Sequence, residues 1–345
     1  MGSKLAAIMK KVNSDAKEEV FRVGLPSYDY EKIPFTSPRM NNITFGGLPT
    51  GRLSEFYGEE GGGKTTTALD QVGNYQILHP DKEILYVDAE HTLDLEWAKK
   101  LGVDVDRINL YTPMTESAEY VFQVIKDAVS SGELGMWVLD SVACLTAEKD
   151  LGKQMDDDER VGGVSKPLTR FCREIIGLCH KYNCSGIFIN QLRDKINSRI
   201  PGQTSTPGGR GLKHFCTTRI EFRKGEFLDE NGKTISRSSG SPDDQRIMVN
   251  MVKSKFCSPG RHIGYYTINF DDGIDYISDL IDLAIEHDII VKSGAWFEIV
   301  NTDTGELLSD SKIQGQSKVA DYLEQHEDVL AVVEQLVNRQ IGVLE

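Results

Sequence analysis

Residues 58–65 read Gly-Glu-Glu-Gly-Gly-Gly-Lys-Thr, and this octapeptide restricts the fold more than any other feature of the chain. Its spacing, G-x-x-x-x-G-K-[ST], belongs to a loop whose glycines let backbone N–H groups turn inward around a phosphate, with the positive end of a helix behind them. Such a loop needs a strand in front and a helix after it, and both are present: LSEFY (53–57) precedes it and TTTALDQVGNY follows. Lys64 is set to reach the β- and γ-phosphates of a nucleotide and the Thr65 hydroxyl to ligate Mg²⁺. Gly58, Glu59, Glu60, Gly61, Gly62, Gly63 and Thr66 complete the wrap. A plain glycine-rich turn is the alternative, and the flanking elements weigh against it.

Further β-rich runs alternate with helical ones: ILYVD (84–88), MWVLD (136–140) and GIFIN (186–190). The segments between them are long enough for crossover helices, which predicts a parallel sheet in an α/β core. The clearest helix precedes the fourth strand, with Leu168, Phe171, Cys172, Ile175, Ile176 and Cys179 recurring at helical spacing. Parallel strands share one C-terminal edge, where open α/β sheets bind ligands. Asp88, Glu90, Asp140, Ser141, Asn190 and Gln191 therefore collect beside the phosphate loop. Carboxylates next to apolar strands are costly unless something uses them. Asp140 suits the carboxylate that holds Mg²⁺ through water, and Glu90 suits the residue that activates an attacking water. Capping of the following helices is the competing role for Asp and Ser at such positions.

After Lys213 the pattern changes to strands, TRIEFRK (218–224), RIMVNMV (246–252) and YYTINF (265–270), with a turn signal at Asn231-Gly232. These are expected to extend the sheet antiparallel. A small unit follows, opened by Ile277, Leu280, Ile281, Ala284 and Ile285 on one helical face. At the other end Leu5, Ile8, Met9 and Val12 form an apolar stripe, followed by a connector with Pro26, Pro34 and Pro38. A helix with one apolar stripe and no core of its own must dock on its own domain or on a neighbour. The expected organisation is an N-terminal helix and arm for subunit association (1–38), an ATPase core (39–273) and a small C-terminal α/β domain (274–345).

The formal charge is −14 over 345 residues, which disfavours phosphate backbones as partners unless bases are locally concentrated. They are: from Leu192 to Lys213, Arg193, Lys195, Arg199, Arg210 and Lys213 face one acid, Asp194, whereas the C-terminal stretch from Asn301 is acidic. The six cysteines include no C-x-x-C pair and no histidine at zinc spacing, so buried reduced thiols are expected and no metal cage of protein side chains. His91, His180 and His214 are taken as ordinary polar residues. No stretch approaches a membrane span, and KLAAIMKKVNSDAKEEV lacks the form of a signal peptide, so a cytoplasmic protein is expected.

The runs GLPTGRLSEFYGEEGGGKTTTAL, YVDAEHTLDLEWAKKLGVD, VLDSVACLT, GIFINQLRDKI, TPGGRGLKHF and SGAWF occur in the order and at about the spacing of the bacterial RecA family, which the chain resembles from about Phe45 to Phe297. The resemblance implies a P-loop RecA-type ATPase core that uses ATP and Mg²⁺, assembles with itself as a filament on single-stranded DNA, and promotes strand exchange with homologous double-stranded DNA. It implies that Glu90 is catalytic together with Lys64 and Gln191, the last sensing the γ-phosphate. Asp94 would contact the adenine amino group and Trp97 stack on the base, with core packing the alternative for Trp97. Lys253 and Lys255 would reach a neighbour's γ-phosphate. Two DNA-binding loops correspond to about 148–165 and 192–209. In the second, Arg193, Lys195, Arg199 and Arg210 would grip phosphates with the backbone of Gly208 and Gly209, while Ile196 and Ile200 could wedge between bases without reading sequence.

Several positions depart from the family pattern. The first loop carries Asp156-Asp157-Asp158-Glu159, so no base contacts are assigned there; Ile200 and His214 stand where the family has aromatics; a long acidic tail is lacking. A helicase or repair ATPase on the same core, or an accessory filament protein without strand exchange, are the competing readings. A small-molecule kinase would need an Arg-rich lid that the chain does not display.

Overall fold

The computed structural model describes residues 4–17, 19–24, 30–152, 163–194, 204–229, 233–236, 242–256 and 260–343. Two units emerge, Met1–Glu31 and Lys32–Glu345. The first holds one helix, α1 (Lys4–Ala16), none of whose residues is buried. Its stripe residues Leu5, Ile8 and Val12 are 55%, 53% and 38% exposed. From its last turn, the Asn13 amide exchanges two hydrogen bonds with the backbone of Phe21.

The second unit is built on one large sheet. Its labelled strands are β1 (Leu53–Gly58), β2 (Glu83–Asp88), β3 (Ile108–Tyr111), β4 (Leu134–Asp140), β5 (Ser185–Gln191), β6 (Thr218–Leu228), β7 (Asp244–Ser254) and β8 (Ile263–Asn269). They lie in the order β8-β7-β6-β1-β5-β4-β2-β3, and a two-residue strand at Gly273–Ile274 adds to β8. From β6 to β3 all neighbours run parallel. The pairs β6/β7 and β7/β8 are antiparallel.

Two expectations are corrected here. The run 218–224 was expected to extend the sheet antiparallel, yet β6 pairs parallel with β1, Thr218 against Ser54 through Phe222 against Gly58. The antiparallel part begins only at β7. A further parallel strand of the core, β3, carries no apolar run, because as an edge strand it is only half covered. The turn signal Asn231-Gly232 lies outside the described residues.

Strand periodicity sends alternate side chains to opposite faces. Tyr86, Val138, Ile187 and Ile189 join one cluster with Ala68, Leu69 and Val72 of α3 (Lys64–Leu78). Val87, Trp137, Leu139 and Phe188 join the other, with α5 (Ala118–Ser130) and α6 (Ser165–Tyr182). Two shorter helices belong to this core, α2 (Pro38–Thr44) and α4 (Leu95–Lys100), and α7 (Gly209–Phe215) packs on α6. Four described cysteines, Cys172, Cys179, Cys184 and Cys216, are buried, and Cys144 is exposed. Burial on both faces leaves the strand ends as the place where polar groups can gather.

The C-terminal part has its own apolar cluster under α8 (Tyr276–Glu286), α9 (Gln316–Gln325) and α10 (Glu327–Ile341). A small antiparallel sheet completes it: β9 (Ile290–Ser293), β10 (Trp296–Ile299) and the short strand Ile313–Gln314. Polar contacts join it to the core. The Asp279 carboxylate accepts from the Ser37 hydroxyl and from Arg39 N, and Arg39 donates twice to Glu286, at 2.5 and 2.7 Å. Among the described residues no helix is long and apolar enough to cross a membrane.

Candidate nucleotide site

The phosphate loop leaves β1 at Gly58 and enters α3 at Lys64. Gly58 is dictated by the sheet: a Cβ there would collide with the carbonyl of Phe222 on the adjacent strand. Gly63 caps α3 at φ 82°, a left-handed conformation that favours glycine, and no side chain caps the helix. An uncapped helix start presents backbone donors and a positive dipole end to an anion. Lys64, 7% exposed, donates from Nζ to the Glu59 carbonyl at 2.6 Å, folding the ammonium across the loop. Burial lowers its pKa, partly offset by Asp140 and Glu90. Glu59 and Glu60 point to solvent, and Thr66 lies in the first turn of α3.

The four strand ends expected to meet do so. Gly58 stands opposite Gln191, and Asp88 opposite Asp140. Thr65 Oγ1 donates to Asp140 Oδ2 at 2.8 Å, and Tyr86 OH donates to the same oxygen at 3.0 Å. Burial pushes the Asp140 carboxyl up to about 6, and the nearby Glu90 charge adds to this. Half-buried Glu90 accepts through one oxygen, Oε1, from Ser141 Oγ at 2.6 Å and from Gln191 Nε2 at 2.7 Å. Glu90 and Gln191 are thus in direct contact although 101 residues apart.

Asp88 and Asp94 are engaged by backbone. Asp88 accepts from Thr92 N and Leu93 N, which shapes the turn after β2. Asp94 caps α4, its Oδ1 accepting from Glu96 N and Trp97 N, and the residue is exposed. Trp97 is partly buried against the core, and its Nε1 donates to Thr66 Oγ1 at 3.2 Å. The ring therefore both packs and lies beside the first turn of the phosphate helix.

The segment after Gln191 starts at the same edge. Leu192 N donates to the carbonyl of Gly58, and the short strand Arg193–Asp194 pairs antiparallel with Thr204–Ser205. Arg193 and Arg210 are exposed, and Arg193 donates to the Ala143 carbonyl at 3.0 Å. Gly208 and Gly209 take φ of 91° and 70° where α7 begins. Lys195, Ile196, Arg199 and Ile200 lie outside the described residues, as does Asp156–Glu159 of the other expected loop.

Lys253 and Lys255 sit elsewhere. Arg219 pairs with Lys253 and Thr218 with Ser254, and Thr218 also pairs with Ser54. Across β6, Lys253 therefore stands level with Glu55 of β1, three residues before Gly58, or about 10 Å at ~3.3 Å per residue, and Lys255 lies farther away. Lys253 donates to the carbonyls of Lys213 and His214, both at 2.8 Å, at the end of α7. Lys255 is exposed.

Sequence reasoning missed two features. Lys224, an exposed residue of β6 past Phe222, brings its ammonium beside Gly61. Only the parallel β1/β6 pairing reveals this. The second is a buried polar chain. Glu55 accepts from Arg219 Nε at 2.5 Å and from Asn190 Nδ2 at 3.0 Å, while Asn190 Nδ2 also donates to the Pro207 carbonyl at 3.0 Å. A glutamate in the middle of an apolar strand was the available signal.

Two family models match the chain, the RecA N-terminal domain over residues 4–275 and the RecA C-terminal domain over residues 278–342. Protein RecA of Staphylococcus carnosus is 32% identical over 305 residues, covering 88% of this chain and 80% of that protein. Protein RecA of Mesoplasma florum is 35% identical over 292 residues, covering 85% and 81%. Protein RecA of Staphylococcus aureus strain JH9 is 33% identical over 303 residues, covering 88% and 81%.

Proposed function

This chain belongs to the RecA family, and we propose on that footing that it is an ATP-dependent DNA recombinase, assembling with itself on single-stranded DNA and promoting exchange with homologous duplex. The observation that carries the reading is the contact of Gln191 with Glu90. It links the residue proposed to activate water with the residue immediately before the segment that holds the local excess of bases.

The residues fit ATP and Mg²⁺. The loop cannot tolerate a Cβ at Gly58, its helix start is uncapped, and the paired oxygens of Thr65 and Asp140 form the hard, oxygen-only donor set that magnesium prefers. When bound, the ion neutralises charge that develops on the phosphates. Lys64 would move from the Glu59 carbonyl to the phosphate oxygens. Glu90, held by Ser141 and Gln191, would orient water and take its proton. Trp97 and Asp94 would bracket the base at the start of α4.

Gln191 can donate to Glu90 or to a γ-phosphate, so nucleotide competes for its amide. That competition displaces the start of the segment bearing Arg193, Lys195, Arg199 and Arg210, with Ile196 and Ile200 as base wedges and Gly208 and Gly209 as backbone donors. Lys253 and Lys255 would complete the site of an adjoining subunit, tying assembly to nucleotide. The test is ATP hydrolysis with and without single-stranded DNA, followed by a joint-molecule assay. Stimulated turnover that disappears in Lys64→Ala supports the reading. Hydrolysis indifferent to single-stranded DNA, or turnover without joint molecules, overturns the recombinase assignment.

A further inference from the structure

We infer that Asn190 is a positioning residue that ties the two ends of the segment 192–207 together, so that a displacement at Gln191 is delivered to Pro207 and the start of α7; the inference rests on the reading of Gln191 above. Asn190 is fully buried at the end of β5, and its side chain makes three hydrogen bonds. Nδ2 donates to Glu55 Oε1 and to the Pro207 carbonyl, both at 3.0 Å, and Oδ1 accepts from Gln191 N at 3.0 Å. A primary amide supplies two donors and an acceptor on one planar group, which matches this demand. Aspartate has no donor, and its charge would face the Glu55 carboxylate.

The tether closes a ladder that the backbone begins. Arg193 pairs with Ser205 and Asp194 with Thr204, so the two ends of the segment already run side by side. Asn190 adds a cross-link one step closer to the nucleotide edge. The entry end is fixed to the phosphate loop by Leu192 N on the Gly58 carbonyl. The exit end leads within two residues into α7, which packs on α6 so tightly that a Cβ on Gly208 would meet Leu168 and one on Gly211 would meet Thr169. Movement of Pro207 must therefore shift α7 as a body.

Glu55 anchors the arrangement. It is fully buried, and its second oxygen accepts from Arg219, whose guanidinium also lies 4.6 Å from the Tyr57 ring centre. A buried carboxylate with two buried donors is stable in one geometry and strongly disfavoured with one partner lost. The anchor does not move with the nucleotide, and Asn190 pivots on it.

Full-length protein is titrated with a fluorescent single-stranded oligothymidylate, once with ADP and once with a slowly hydrolysed ATP analogue, and nucleotide affinity is measured separately. In Asn190→Ala the nucleotide affinities stay as in the native protein, while the ratio of DNA affinities between the two nucleotide states falls by about tenfold. The pair Asn190→Asp with Glu55→Gln exchanges amide and carboxylate. It keeps their mutual bond, an oxygen for Arg219 Nε and the acceptor for Gln191 N; it replaces the donor to Pro207 by an acceptor and moves the buried negative charge from residue 55 to residue 190. It should melt below the native protein, because the Arg219–Glu55 ion pair is lost, yet stay folded at the assay temperature and show the same collapse, so it decides the matter even if Asn190→Ala does not fold. Retention of the native ratio by the double variant overturns the tether alone. A native protein with no difference between nucleotides overturns the reading of Gln191 and the tether with it.

Discussion

Replacing Glu90 by Gln separates chemistry from architecture at one atom. Both hydrogen bonds to Glu90 end on Oε1, and a glutamine keeps a carbonyl oxygen at that position. The donors from Ser141 and Gln191 remain satisfied, although each loses the gain that an ionised acceptor gives. Taking charged-acceptor bonds as ~1.5–3 kcal/mol and neutral ones as ~0.5–1.5, the two together lose about 2 kcal/mol. For a chain of this size that is a fall of several degrees in melting temperature. The amide has no basicity, so water activation is lost. General-base catalysis contributes about 10²–10⁴-fold, equivalent to about 3–5 kcal/mol of barrier. Turnover measured with single-stranded DNA and saturating ATP should fall by that factor, while the ATP-bound form persists and keeps its DNA affinity. Turnover within tenfold of native would remove Glu90 from the reaction. A large loss of DNA affinity in the ATP state would show instead that its role is to hold Gln191.

Neutralising Lys253 and Lys255 should suppress DNA-stimulated turnover and the cooperativity of assembly, with Lys253→Ala also loosening the end of α7; native cooperativity in light scattering would refute a role at the neighbour's site. Gly58→Ala forces a methyl against the Phe222 carbonyl, and overpacking of this kind costs about 1–3 kcal/mol or more, so a melting curve unchanged from native would contradict the β1/β6 register. Asp70 is completely buried, and its carboxyl, although it accepts from Thr36 N and Asn74, is pushed up to about 7 by burial. A folded pKa above the unfolded value of 3.8 means that the contribution to stability is fully present below that unfolded value and is lost as pH rises through about 7. Thermal stability should therefore rise as pH is lowered from 8 towards 6, and Asp70→Asn should flatten that part of the profile; an identical slope in the variant would exclude Asp70 as its source.

Legibility followed the range of the interactions. The phosphate loop, the strand ends and the stripe of α6 are written in local patterns, and Thr65, Asp140, Glu90 and Gln191 could be brought together by one topological rule. The partners of β6 could not be inferred, because a strand's own side-chain pattern does not state whether its neighbour runs parallel or antiparallel. That one pairing sets the place of Lys224 and of the Arg219–Glu55 contact, so both went unseen. β3 escaped for a different reason, since its half-covered residues Asn109 and Leu110 give no apolar run. A backbone-holding role was foreseeable as the alternative for Asp88 at a strand end, and the structure shows it accepting from Thr92 N and Leu93 N; the capping role of Asp94 was not foreseen.

The phosphate loop and the pair Lys253 and Lys255 lie toward opposite ends of β1 and β7, with β6 between them, about 10 Å or more apart along the strand direction at ~3.3 Å per residue. A lysine side chain cannot span that distance to the nucleotide of its own chain, so the proposed role of these two ammonium groups requires a triphosphate held by another copy. In a row of such molecules every junction would be complete and one terminus would not. The ATPase would then scale with junctions rather than with molecules, and the two tips of the row would age differently, one able to discharge its nucleotide and the other obliged to keep it.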